Sequence, residues 1–230
     1  DVVSYTSTNG VYISKNNNGS LGNFFTGTTV FSTGTGGGDL TLCDMDNDGD
    51  KDVVTTNKSS NTVSVLKNNG TGTLTFFASY TTETTPDGID NFDINQDGFK
   101  DIAVINFGSS TVSIFFGSAT GALTLHQTTQ AAGVPRAIVI GQFTSDSYPD
   151  IVTSQSNGTY INSFVGNAAN NYLQTNLFDV GSAPSSAFAA DFNADGNQDV
   201  AITHSGANNA QIFLGNGAGN FTPGAVLTTG

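Results

Sequence analysis

The stretch Asp44-Met-Asp-Asn-Asp-Gly-Asp-Lys-Asp52 decides how the chain is read, because three later stretches follow its plan. They are Asp93-Ile-Asn-Gln-Asp-Gly-Phe-Lys-Asp101, Gln142-Phe-Thr-Ser-Asp-Ser-Tyr-Pro-Asp150 and Asp191-Phe-Asn-Ala-Asp-Gly-Asn-Gln-Asp199. Their first residues, 44, 93, 142 and 191, stand 49 apart each time. A fixed period of this size marks a stacked or radial array, in which each unit completes its core against its neighbours.

Working outward, every stretch runs directly into a short β-branched run: Asp52-Val-Val-Thr-Thr, Asp101-Ile-Ala-Val-Ile, Asp150-Ile-Val-Thr and Asp199-Val-Ala-Ile-Thr. Asp1-Val-Val-Ser-Tyr has the same look, so the chain is expected to open at the last Asp of a fifth copy, as a mature or truncated piece. A second run follows (Val63-Ser-Val-Leu, Val112-Ser-Ile-Phe-Phe), then a Gly/Asn-rich turn, then a third run beginning near Leu74, Leu123, Tyr172 and Phe221. A fourth, such as Asp39-Leu-Thr-Leu-Cys or Ala137-Ile-Val-Ile-Gly, precedes each acidic stretch.

Short β-branched and aromatic runs between turn clusters predict strands, and no sustained helical period competes with them. Four strands per unit of 49 residues fit the four-stranded antiparallel blades of a β-propeller. Pro86, Pro135 and Pro184 recur in register just before the first strand of a blade, where proline fixes the crossover without removing a ladder donor. The expected fold is all-β: four complete blades plus a three-stranded partial blade at the N-terminus, with units near 1–36, 37–85, 86–134, 135–183 and 184–230. No linker divides the chain, so one propeller domain, or a fragment of a larger one, is expected. Open sheet edges invite pairing, so the strand missing from the first unit would come from a flanking segment or another chain, or the ring closes imperfectly.

The acidic stretch has its own chemistry. Carboxylates or amides at positions 1, 3 and 5, Gly at 6, a backbone carbonyl at 7 and Asp at 9 surround one small volume with hard oxygen donors. Ca²⁺ takes six to eight such oxygens at about 2.3–2.6 Å. An EF-hand opens similarly but needs Glu at position 12 between helices; here position 12 is Thr55, Val104 or Ile202, on a strand. The candidate ligands are therefore Asp44, Asp46, Asp48, Asp50 and Asp52; Asp93, Asn95, Asp97, Phe99 and Asp101; and Asp191, Asn193, Asp195, Asn197 and Asp199, with Asp50, Phe99 and Asn197 contributing main-chain oxygen. The copy Gln142, Thr144, Asp146 and Asp150 has two carboxylates and Ser147 in place of Gly, so it is expected to be empty or weak. The competing explanation is an Asx-rich turn without metal. Three copies in register favour about three Ca²⁺ sites.

These stretches, with the pairs Phe107-Gly108 and Phe116-Gly117 and the segment Leu214-Gly-Asn-Gly, resemble the FG-GAP/VCBS repeats of integrin α-subunit propellers and of many secreted proteins. The resemblance implies a propeller with Ca²⁺ between strands 1 and 2 of a blade, on the lower face of the ring. Rings of the family usually carry more blades than this chain supplies. The resemblance also implies an extracellular location and a role in adhesion or assembly.

Composition narrows the partners. Nineteen acidic residues against 6 basic ones give a net charge of −13, which disfavours nucleic acid and anionic membranes. Ten Asp stand at ligand positions of the three intact copies, and three divalent ions would bring −13 to −7. No apolar run approaches a membrane span. Cys43 is the only cysteine, so no intrachain disulfide is possible, and its first-strand register predicts a buried side chain.

His126 and His204 fall at unrelated repeat positions and are expected at the surface; no nucleophile, base and acid arrangement suggests itself, so no catalytic residue is assigned. Asn18, Asn57, Asn69, Asn157 and Asn220 begin N-x-Ser/Thr sequons and are possible glycosylation sites. Recognition is expected on the face opposite the acidic loops, formed by the strand 2–3 loops and the inter-blade crossovers. The sequence thus predicts a secreted, calcium-stabilised, non-catalytic module that binds extracellular protein or other copies of itself. The alternative is a lectin-type propeller that binds glycans, which the absence of Trp argues against mildly.

Overall fold

The computed structural model describes residues 2–6, 10–16, 25–181 and 183–228, and its regular structure is entirely strand. β1 (Val2–Tyr5), β2 (Gly10–Asn16) and β3 (Phe25–Ser32) form a three-stranded antiparallel sheet. Four four-stranded sheets follow. The first is β4 (Gly37–Cys43), β5 (Asp52–Asn57), β6 (Thr62–Asn68) and β7 (Leu74–Thr81). The next is β8 (Pro86–Phe92), β9 (Asp101–Asn106), β10 (Thr111–Phe116) and β11 (Thr124–Gln130). Then come β12 (Pro135–Gly141), β13 (Asp150–Gln155), β14 (Tyr160–Val165) and β15 (Leu173–Asp179). The last is β16 (Pro184–Ala190), β17 (Asp199–His204), β18 (Asn209–Gly215) and β19 (Phe221–Thr228). Each is a simple meander, so neighbours in sequence are neighbours in the sheet.

The sheets are propeller blades. First strands β4, β8, β12 and β16 adjoin one another, and β1 adjoins β4. Between consecutive blades lies an apolar layer. Val54, Val63 and Val65 of one blade meet Ile89, Ile102, Val104 and Phe115 of the next. Ala103, Ile105 and Ile114 in turn meet Ile138, Ile151 and Phe164. Each fully buried aliphatic side chain stabilises the fold by about 1.5–3 kcal/mol.

This layering explains the sequence pattern. Every residue of β5, β9 and β13 is buried, because a second strand is covered on both faces by neighbouring blades. Such strands are continuously apolar or carry small polar residues with partners, whereas the outer strands β11 and β15 are largely exposed. The five sheets form an arc rather than a closed ring. On the far face of the last sheet Phe188 is 65% exposed, while Val139, one repeat earlier, is 7% exposed.

Buried polar residues are linked across strands. Asn57, at the end of β5, donates its amide to Thr62 Oγ1 and Ser64 Oγ, each at 3.0 Å, and Ser64 meets Ser79 at 2.7 Å. Asn106, Ser113 and Thr128 repeat this ladder one blade on. His204 holds the equivalent place in β17, with Nδ1 2.9 Å from Asn209 Oδ1. It is 5% exposed, which corrects the expectation of a surface residue: its ring substitutes for an amide in this ladder.

Candidate metal centres

The four acidic stretches join the first and second strands of their blades, and three share one turn geometry. Position 1 caps the turn. Asp44 accepts the N–H groups of Asp48 at 3.1 Å and Gly49 at 2.9 Å, and Asp93 and Asp191 accept those of Asp97 and Gly98 and of Asp195 and Gly196. Position 5 accepts the N–H of position 7 in every copy, as Asp48 does from Asp50 at 2.9 Å. Gly49, Gly98 and Gly196 have φ of 95°, 89° and 90°, so the glycine is required by the turn. Position 4 is also left-handed, at Asn47, Gln96 and Ala194, which the sequence did not reveal.

Asp at position 9 is completely buried in all four copies. Asp101 Oδ2 accepts the N–H groups of Ile94 at 2.7 Å and Asn95 at 3.1 Å, and Oδ1 accepts that of Gly117 at 2.7 Å. Asp52, Asp150 and Asp199 bond the N–H groups corresponding to those of Ile94 and Gly117, with Asn68 at the Gly117 position for Asp52, and Asp150 alone adds the position-3 N–H of Thr144. The Phe-Gly glycine thereby acquires a physical reason: a Cβ on Gly117 would lie 2.1 Å from Lys100 O. Burial pushes the Asp101 carboxyl up to about 6, against the lowering by its three N–H partners. The position-9 residues are thus internal staples, and their oxygens keep further lone pairs for a cation.

The donors converge most closely in the first loop, where carboxylate oxygens of Asp44, Asp46 and Asp48 lie within 4.8 Å of one another. Lys67 Nζ reaches Asp46 Oδ2 at 2.8 Å, while Asp46 Oδ1 and Asn68 Oδ1 are buried without a partner. Three carboxylates and an orphaned oxygen in one small volume fit a hard divalent cation. In the second and fourth loops an amide replaces one carboxylate and already contacts position 5: Asn95 Nδ2 donates to Asp97 Oδ2 at 2.9 Å and Asn193 Nδ2 to Asp195 Oδ2 at 2.8 Å. The backbone N–H of Asn197 and that amide hold the exposed Asp195 carboxyl below its usual range.

The third loop is built differently. Gln142 donates its side-chain amide to Ser147 O at 3.0 Å, Thr144 bonds Asp150, and no residue of the loop has positive φ. An amide donor at position 1 closes this turn internally. Adjacent loops also touch: Asn47 Nδ2 donates to Gly98 O at 3.1 Å, and Gln96 Nε2 donates to Ser147 O.

Other sequence candidates separate clearly. Asn69, Asn157 and Asn220 are exposed, and Asn18 lies outside the described residues. Asn57 is fully buried with its amide engaged, so it is removed as a glycan acceptor. Cys43 is 1% exposed, and burial pushes its thiol up to about 12. The strand 2–3 loops are tied to the crossovers, as Phe107 N to Thr85 O at 2.9 Å, and so form one upper surface. The first-strand residues Asp39, Asp90 and Arg136, which line one shared cavity, were not singled out from the sequence. They escaped because they do not repeat at the 49-residue spacing, although charge in an otherwise apolar first strand was a usable signal.

Comparison with known proteins agrees with this architecture. Residues 44–92 match the model of the FG-GAP-like repeat. A Bacteroides fragilis protein provisionally assigned as a 6-phosphogluconolactonase is similar in structure, with TM-score 0.74 and 15% identity over 99% of this chain and 69% of its own. A Lactobacillus plantarum protein gives TM-score 0.71 and 12% identity over 97% of this chain and 64% of its own. BBS1N, solved in complex with ARL6DN, gives TM-score 0.58 and 12% identity over 83% of this chain and 56% of its own. The chain therefore spans between 56% and 69% of these three solved chains. None of the curated protein sequences matches it. Among the described residues no helix is long and apolar enough to cross a membrane.

Proposed function

Taking the FG-GAP-like repeat at residues 44–92 as its premise, we propose that the chain is a secreted, calcium-stabilised propeller module that recognises extracellular protein or other copies of itself. The observation that carries this is the turn shared by the first, second and fourth loops. It gathers oxygen donors at equivalent points of the scaffold, most tightly at Asp44, Asp46 and Asp48. When bound, the ion supplies positive charge and coordination that offset the repulsion of clustered carboxylates. The residues themselves cap the turn through position 1, set its hairpin through position 5 and fasten it to the blade through the buried position 9. Recognition falls to the upper loops, which are polar, vary between blades and are held rigidly by the crossovers.

A non-catalytic role is supported by the state of the usual catalytic groups. His126 stacks on Phe116 at 4.1 Å and His204 is buried against Asn209. Cys43 is enclosed with its thiol pushed up to about 12.

The test is calorimetric titration with Ca²⁺ together with thermal melts in calcium and in excess chelator. About three ions should bind. Because ligand held only by the folded state adds about 2.7 kcal/mol per site at a hundredfold excess over Kd, chelation should lower the melting temperature on the order of 10 °C or more. An unchanged melt in excess chelator would sink the calcium reading. Binding of glycan arrays with blade-to-blade multiplicity would replace protein recognition by a lectin.

A further inference from the structure

The first strands carry a second group of charges, away from the loops. β4, β8, β12 and β16 border a cavity of about 430 Å³, a size suited to a small molecule. Its polar lining includes Asp39, Asp90, Asn91, Arg136 and Gln198. Two of these are already committed: Asn91 Nδ2 donates to Thr41 Oγ1 at 2.6 Å, and Gln198 Oε1 accepts the N–H of Gln142 at 2.7 Å. Lys58, at the upper mouth, is paired with Asp87 at 2.7 Å. Asp39, Asp90 and Arg136 remain.

The two carboxylates are held in place by main chain. Asp90 accepts the N–H of Asn91 at 2.8 Å and, across the blade boundary, that of Ile140 at 2.9 Å. Asp39 accepts the N–H of Leu40 at 2.8 Å and is steadied by that of Ile89 on the next blade. These bonds fix position but bring no positive charge, and an ionised carboxylate keeps further acceptor sites. Burial pushes both carboxyls above their usual range, and the charge of Asp39 adds to that of Asp90. Neither forms an ion pair among the described residues. Arg136 is the only arginine of the chain, is exposed at this lining, and its side chain has neither ion pair nor hydrogen bond among the described residues.

Two pinned carboxylates and one free guanidinium define a complementary ligand: two cationic groups and one carboxylate. We propose that the cavity between these first strands binds a basic α-amino acid, with its two cationic groups at Asp39 and Asp90 and its carboxylate on the fork of Arg136. A neutral polyol would leave both half-buried carboxylates without a counter-charge. A simple anion would satisfy Arg136 alone, and a metal ion would leave that guanidinium facing a like charge. The site shares no proposed ligand with the calcium loops and stands whether or not they bind metal.

The experiment is calorimetric titration of the calcium-loaded protein with L-lysine, with cadaverine, which lacks the carboxylate, and with gluconate and glucose. L-Lysine should bind with Kd of about 1 mM or tighter. Asp90→Asn should weaken it about tenfold or more, the loss of one charge-assisted contact, and Asp39→Asn should do likewise. Arg136→Gln should reduce L-lysine to the level of cadaverine without weakening cadaverine itself. Unliganded melts identify which variants fold, and either Asp variant alone suffices for the reading. Absence of L-lysine binding at about 10 mM, undiminished binding in a folded Asp variant, or binding of gluconate or glucose in its place would overturn the proposal.

Discussion

At Asp101 three backbone N–H groups converge on one fully buried carboxylate, two from the loop and one from Gly117, just past the end of β10. Removing the carboxylate leaves those donors unpaired at about 1–3 kcal/mol each. In metal-free protein Asp101→Ala should therefore cost at least about 3 kcal/mol by urea denaturation, whereas Asp97→Asn, exposed in the same loop, should cost under about 1 kcal/mol. Equal costs would dismiss the staple. Cys43 gives a second residue-scale test, because its thiol is enclosed and pushed up to about 12. A thiol reagent at neutral pH should label it only after unfolding; rapid native labelling would contradict its placement. The 49-residue period announced where these side chains fall, yet not what they touch. A sequon at Asn57 and a histidine at 204 look like surface features in one dimension. Both close the second strand of a blade, and both side chains are buried there.

Strands were legible as elements because their β-branched runs are short and punctuated by turn residues. Less legible was the left-handed position 4 of the loops, since neither Gln96 nor Ala194 favours that conformation by itself. The cap at position 1 imposes it by drawing two N–H groups onto one carboxylate. First strands conceal another interaction, the bond from Ile140 N–H to Asp90 that joins β12 to β8. Burial raises the Asp90 carboxyl above its ordinary 3.8, more than its two N–H partners lower it. A carboxyl raised by folding holds its proton more tightly in the native state. Its stabilising contribution is then complete below about pH 3.8 and is lost as pH climbs through the folded pKa. Urea melts in chelator between about pH 4 and 7 should show stability falling with pH, and Asp90→Asn should flatten that fall. Parallel pH profiles for the two proteins would remove Asp90 from the explanation.

For the molecule as a whole, what matters is how many faces of each blade are covered. Closure is not written in a local pattern: the repeat register yields the number of blades but not what meets the last one. Phe188, Phe192 and Leu227 are 65%, 43% and 55% exposed. Their counterparts one repeat earlier, Val139, Phe143 and Phe178, belong to the apolar layer between the fourth and fifth sheets. All of β9 is buried, while in β17 Ala201 is only partly covered and Thr203 is exposed. Opening free energies follow coverage, since backbone bonds under packed faces open only with larger unfolding. Native-state hydrogen exchange should therefore protect the β9 and β13 amides most and those of β17 to β19 least, by on the order of a hundredfold or more in rate. Calcium bound as proposed should raise protection first in the hairpins that flank the acidic loops. Uniform protection from β5 through β18 would mean that the last sheet is as fully packed as the middle ones, and would require a partner on the face that carries Phe188.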